Sequence, residues 1–370
     1  MKPSVWLSVF FVFLVFSFEL LAQECSHLWN KNLEIDPVEP KGYSGDSFAG
    51  YGLMGYQNKE GLGWVFKGKF PRGRFMSIET YTTTHKHRYD VQFDYQIEPD
   101  NGSENPFREG VFMDTPERSF TVTLVPAEGK STIPNIIHIS PTEKVHAIYY
   151  RIYAPSDGEL LTESDLPAVY AYDHRTGEPT NCPNPANVVF APNFPQVLAN
   201  VAAWVTDFEF KETTVNNGQN SAIPYYVWAI NKVKHGEVTI IRFKAPTFLN
   251  NQSGIGPFQK TGEVRYWSLC TQNFVKSLTL NCIPDYLAKV DPDGYANVVI
   301  GKGADIQDAA EKFGYSFLED RRDKRQKVEE FAYRNLLPNE EFEHNQMYKG
   351  AYLPIGITCS AEQFLSGECH

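Results

Sequence analysis

Positive charge is scarce in this chain. Its 370 residues hold 34 Lys and Arg against 45 Asp and Glu, a formal net charge of −11. A nucleic-acid surface needs clustered cations to displace counterions from phosphate, so no nucleic-acid partner is expected. The one basic run, "RRDKRQK" at 321–327, is interrupted by Asp323 and flanked by acids, and reads as a solvated loop. No C-x-x-C occurs among the six cysteines, which removes zinc-ribbon and thioredoxin-type chemistry. No G-x-S-x-G occurs either, so the strand-to-helix elbow that activates a hydrolase serine is missing. Apart from residues 5–16, no run is apolar enough to cross a bilayer, so no integral membrane segment is expected in the mature chain.

That run sits where an export signal would. Lys2 precedes "VWLSVFFVFLVF", and the small residue Ala22 follows, the pattern of a signal peptide over 1–22 with a mature chain beginning at Gln23. A secreted or periplasmic location follows, with an extracellular ligand or partner of unspecified kind. In an oxidising compartment an even cysteine count reads as disulfides. Spacing favours Cys270–Cys282 across a hairpin and Cys359–Cys369 around a short terminal loop, which leaves Cys25–Cys182; fifteen pairings are formally open.

Aromatics make up 14% of the chain and Gly plus Pro come to 50, a mixture that favours short strands joined by tight turns. The strands recur. "GWVFKGKFPRGRFMSIETY" (63–81) is echoed by "VTIIRFKAPTFLNN" (238–251) and "VRYWSLCTQ" (264–272). Downstream, "FDYQIEPD", "SFTVTLVP" and "IYYRIYAPSDGE" are echoed in order by "LTLNCIPD", "YANVVI" and "EFAYRNLLPNEE". Aligning the two R-[FY]-[MW]-S-[IL] strands matches Cys270 with Glu79, and aligning the two P-D pairs matches Cys282 with Ile97. The repetition predicts an all-β chain of two tandem antiparallel β-sandwiches, jelly-roll-like, born of internal duplication. The first sandwich is expected over 23–172 and the second, with a disulfide-clipped C-terminus, over 220–370. A linker over 173–219 carries a short helix on Val197, Leu198, Val201 and Val205, and a second helix is expected at 304–313.

The shared R-[FY]-[MW]-S-[IL] strand, the P-D turn, the Y-R-x3-P strand and the cysteine-bearing final stretch resemble a group of exported bacterial proteins of unknown function. The resemblance covers most of 60–360 and implies tandem jelly-roll-like domains and export, with no catalytic residue to carry over.

Ser77 and Ser268 occupy the same place in the repeated strand, flanked by bulky alternating residues. A nucleophile is needed once and beside a base; a serine kept twice with no matching histidine reads as structural. Arg74 with Arg265, and Arg151 with Arg334, are repeated too and are expected to close ion pairs at strand ends. "THKHRYD" offers the closest metal set, His85, His87 and Asp90, on what reads as a polar hairpin tip. No cofactor is expected; the alternative is calcium on Asp94, Glu98, Asp100 and Glu104, whose spacing is not that of an EF-hand. Asn101 and Asn251 stand in glycosylation sequons, meaningful only in a glycosylating host. The sequence favours a secreted non-catalytic binding or scaffold protein, its ligand open with carbohydrate in view. The alternative is a secreted carbohydrate-active hydrolase using a carboxylate pair that no motif singles out.

Overall fold

The computed structural model describes residues 23–30, 41–42, 45–83, 88–155, 163–186, 188, 208–212, 225–248, 262–273, 278–322, 326 and 328–369. The export signal, the expected helix at 197–205, His85, His87 and Asn251 lie outside them.

Two sandwiches account for the described strands. In the first, a five-stranded sheet has the order β1 (Trp29–Asn30), β3 (Ala49–Gln57), β9 (Val145–Pro155), β5 (Gly73–Thr82), β6 (Arg88–Phe93). It packs on a four-stranded sheet ordered β10 (Ala168–Asp173), β4 (Leu62–Lys69), β7 (Ser119–Pro126), β8 (Ile136–Ile139). In the second, the larger sheet runs β11 (Lys211–Glu212), β12 (Tyr225–Asn231), β18 (Glu329–Leu336), β14 (Tyr266–Asn273), β15 (Leu278–Pro284), β2 (Lys41–Gly42). The smaller runs β17 (Ser316–Glu319), β16 (Tyr295–Gly301), β13 (Glu237–Lys244), β19 (Ile355–Ser360). Strand for strand, the two orders coincide. The exception is β2, a sixth strand lent to the second sandwich by the N-terminal part of the chain.

The duplication reaches into fine detail. All pairings are antiparallel except β7 with β8 and β16 with β17, which hold equivalent places. The ladder between β5 and β6 shifts between Thr80 and Tyr81, and that between β14 and β15 shifts between Thr271 and Gln272. Ala154 and Leu337, each just before a proline, both take φ +45°. A non-glycine residue held there costs about 1–3 kcal/mol, so surrounding contacts must fix the backbone at both places. Register also corrects the sequence match. Ser77 faces Phe93 as Ser268 faces Pro284, so Asp285 is the counterpart of Asp94, not of Asp100, and Cys282 is the counterpart of Val91, not Ile97.

Alternation builds each core. In β7, Phe120, Val122 and Leu124 turn inward while their neighbours are half-exposed. They meet Trp64, Phe66, Met76, Ile78, Ile148 and Tyr150 in the first core, and Trp267, Leu269, Ile241, Val298, Phe331 and Tyr333 belong to the second. Each fully buried Phe-sized chain contributes about 1.5–3 kcal/mol. β14 and β18 are buried at every position, and β5 at all but one. Burial on both faces needs a second layer, and the other sandwich supplies it. Phe75, Phe93, Tyr153 and Ala154 pack against Tyr266 and Leu336 in a cluster between the domains.

Helices are few. α1 (Ala304–Lys312) falls where the sequence places it, between β16 and β17. Two more, α2 (Glu340–Asn345) and α3 (Ala361–Ser366), stand where turns were expected. For α3 the missed signal is a capping box: Ser360 accepts from the Gln363 N–H while the Gln363 side chain accepts from the Ser360 N–H.

Cys25–Cys182, Cys270–Cys282 and Cys359–Cys369 are all bonded, as spacing favours. The last clips α3, not a loop, to β19.

Candidate functional site

The residues the sequence repeats converge on the seam between the domains. Arg74 and Arg265 open β5 and β14 at matched positions, and each crosses to the other domain. Arg74 Nη1 lies 2.5 Å from Asp285 Oδ1 with both side chains fully buried, and Arg265 Nη1 lies 2.5 Å from Asp94 Oδ1. The second oxygen of each aspartate holds its own domain's strand: Asp94 Oδ2 accepts from the Met76 N–H at 2.7 Å, and Asp285 Oδ2 from the Trp267 N–H at 3.1 Å. Each guanidinium also faces a ring of the opposite domain, Arg74 over Tyr286 at 5.3 Å and Arg265 over Tyr95 at 5.7 Å. The exchange has pseudo-two-fold symmetry. Burial pushes Asp285 up to about 6 despite Arg74, and raises Asp94 in the same direction.

A second repeated set lies deeper along the same faces. Ser77 pairs in register with Arg151 and Ser268 with Arg334, while Tyr51 and Tyr226 lie opposite those arginines on the outer neighbour strands. The guanidiniums face those rings at 5.8 and 5.2 Å. Each Ser–Arg pair receives one carboxylate, but from a different source. In the first domain it is Glu79, two residues along the same strand. Glu79 accepts from Ser77 Oγ at 2.8 Å and Tyr81 OH at 2.8 Å, and pairs with Arg88 at 3.0 Å and Arg151 at 3.3 Å. Burial pushes the Glu79 carboxyl up, but Arg151, Arg88 and these hydrogen bonds outweigh it and hold it below the usual range.

In the second domain the Glu79 position is Cys270, which is bonded to Cys282. The carboxylate comes instead from Asp46, on the segment leading into β3. Its Oδ2 accepts from Ser268 Oγ at 2.6 Å and Tyr266 OH at 3.0 Å, and stands 3.2 Å from Arg334 Nη1, a charge contact without hydrogen-bond alignment. Its Oδ1 accepts from the Phe48 N–H at 2.8 Å. Asp46, Ser77, Ser268 and Arg334 have no exposed surface.

The hydroxyls of Ser77 and Ser268 each donate to a buried carboxylate, Glu79 and Asp46, that also faces an arginine. The repeated arginines close ion pairs: Arg74 and Arg265 do so at strand ends, as expected, whereas Arg151 and Arg334 do so from the middle of β9 and β18.

The other candidates disperse. Asp90 is buried and accepts three backbone N–H groups, from Val91, Ser131 and His138, at 2.7–3.1 Å. Its carboxylate therefore organises the 129–138 loop, whatever His85 and His87 do. Of the calcium set, Asp94 is taken by Arg265, Glu98 pairs with Arg108, Asp100 accepts from Thr121, and Glu104 accepts from Thr115. These four acids do not converge. The one potential ligand group among the described residues, Asp46 with Cys270 and Cys282, is built on disulfide sulfurs and is no metal site. Asn101 is exposed in its turn. The basic run is corrected in part: Arg322 is buried, bound by Asp320 at 2.8 Å and the Val233 carbonyl at 2.9 Å.

No helix of the described residues is long and apolar enough to cross a membrane. No family model matches the chain, and no curated protein matches it. Among solved structures it is similar to an uncharacterized protein from Burkholderia cenocepacia. That likeness has 12% identity and a TM-score of 0.52, covering 89% of this chain and 83% of that one. It is also similar to a protein from Vibrio parahaemolyticus, with 10% identity and a TM-score of 0.44 over 88% of this chain and 92% of that one. The Burkholderia likeness is one of fold.

Proposed function

We propose that the protein is an exported, non-catalytic binding or scaffold protein whose two sandwiches act as one rigid body. The observation that supports this most directly is the fate of the repeated polar residues. Those best placed to be chemical pair with one another: Ser77, Ser268, Arg334, Glu79 and Asp46 are buried, and Arg151 is largely so. Three disulfides suit an oxidising, extracellular or periplasmic setting. The resemblance to exported bacterial proteins with tandem jelly-roll-like domains points the same way. A rigid body presents its surfaces at fixed spacing, which lowers the entropy lost when an extended ligand or a partner binds.

The test is a screen of the purified mature chain against polysaccharides, lipids and peptidoglycan, reading both retention and turnover. Retention without product supports the proposal. Product formation would replace it with a secreted hydrolase, and loss of that product on Ser268→Ala would make the serine catalytic after all.

A further inference from the structure

The duplication contains its own control for a binding site. Each sandwich has a flank where β6 or β15 of the larger sheet passes the parallel-paired strand of the smaller one, β8 or β17. In the first domain two side chains of β6 bridge it. Asp90 accepts from the N–H groups of Ser131 and His138, and Gln92 Nε2 donates to the carbonyls of Ile133 and Ile136 at 2.9 and 3.1 Å.

Register makes Asn281 and Ile283 the counterparts of those two residues. Ile283 has no polar group to reach across, and Asn281, whose Oδ1 accepts from the Cys282 N–H at 3.0 Å, reaches across only with Nδ2, 3.5 Å from the Glu319 carbonyl. The flank there opens into a cavity of about 360 Å³, within the size range of small-ligand sites.

α1 forms its wall. The first domain crosses from β7 to β8 through residues 127–135, which carry no helix, whereas the second inserts α1 at the same crossover. Ile306 and Ala310 bury one stripe of α1, and Gln307 and Glu311, four residues apart and so on one face, line the cavity. Lys289 and Tyr315 add an ammonium and a phenol ring, and Leu287, 56% exposed, and Phe317 add apolar surface. Among the described residues, the side chains of Lys289, Gln307 and Glu311 and the Tyr315 hydroxyl take no hydrogen-bond partner.

We infer that this flank is a saccharide site, a reading that rests on the binding function proposed above and gives it a place. An amide, a carboxylate, an ammonium and a phenol supply donors and acceptors side by side, which vicinal hydroxyls require. One charge of each sign matches a neutral ligand. Tyr315, Phe317 and Leu287 offer apolar surface to the C–H face of a sugar ring.

The test is titration of the mature protein with cello-, malto-, manno- and chitotetraose, followed by calorimetry and by backbone amide NMR shifts. At least one is expected to bind, with shifts centred on α1 and β17. Gln307→Ala and Glu311→Ala, both exposed helix positions that leave folding intact, should each weaken binding about tenfold, the loss of one good hydrogen bond. Lys67→Ala on the first domain should leave it unchanged. No binding by any of the four overturns the saccharide assignment, and so does binding that the double variant leaves intact. Saccharide bound at this flank and then cleaved would keep the site but refute the non-catalytic reading. A peptide or lipid that shifts these same residues, with no saccharide doing so, would keep the binding function and refute the inference.

Discussion

Replacing Asp46 by Asn removes one charge from the seam and almost no volume. Asp46 is the only acid in contact with Arg334 among the described residues, and neither side chain has exposed surface. Breaking one partner out of a buried ion pair typically costs about 3–5 kcal/mol, because the survivor stays charged and dry. Arg334 retains weak support from the Gly45 carbonyl at 3.4 Å and the Tyr226 ring at 5.2 Å. That places the expected loss near the lower end, about 3 kcal/mol. Ser268→Ala removes a single donor to the same carboxylate and should cost about 1–3 kcal/mol. Glu79→Gln leaves both Arg88 and Arg151 without their anion and should cost at least as much as Asp46→Asn. Urea unfolding followed by fluorescence measures all three, with the midpoint shifting and the slope preserved. An Asp46→Asn protein within about 0.5 kcal/mol of the parent, the range of ordinary surface substitutions, would refute the idea that this cluster holds the domains together.

Burial raises the Glu330 carboxyl to about 8, against an ordinary value of 4.5. The folded chain therefore keeps a proton that the unfolded chain releases, and stability falls as pH rises between those values. Glu330→Gln should match the parent at pH 4 and exceed it by about 2–4 kcal/mol at pH 8, at about 1.4 kcal/mol per unit; parallel pH profiles would contradict this. Among the disulfides, Cys25–Cys182 closes 157 residues and the other two close 12 and 10. On the chain-entropy account its removal costs about 5 kcal/mol against about 3 for either short one, which thermal unfolding of the paired Cys→Ser variants would rank. N-terminal sequencing of exported protein should begin at Gln23, and a chain beginning at Met1 would remove the basis for an exported location.

Strand period, turn residues and the recurrence of R-[FY]-[MW]-S-[IL] made the two sandwiches legible, because each is a local pattern. Local spacing likewise favoured the two short disulfides. The seam was not legible, since its contacts join Arg74 to Asp285 and Arg265 to Asp94 across 211 and 171 residues. A signal was nonetheless present: in each copy an aspartate follows the repeated arginine by 20 positions. The more conspicuous P-D pairs hid it by drawing the alignment six residues out of register. Asp46 carried no signal at all. It has no counterpart in the second copy, and only the fold brings it to the place that Glu79 fills in the first. The cavity escaped for a related reason: Asn281 and Ile283 are ordinary strand residues until set beside the bridging Asp90 and Gln92.

The repeated buried residues join two domains into one body. Calorimetric unfolding of the mature chain and of the Arg74→Met, Arg265→Met double variant tests it most directly. Methionine keeps apolar volume at the seam but leaves Asp94 and Asp285 without cations. One cooperative transition is expected for the parent and, for the variant, a loss of about 3–5 kcal/mol per pair with the transition separating into two. Two independent transitions in the parent, or a variant that melts as the parent does, would contradict it.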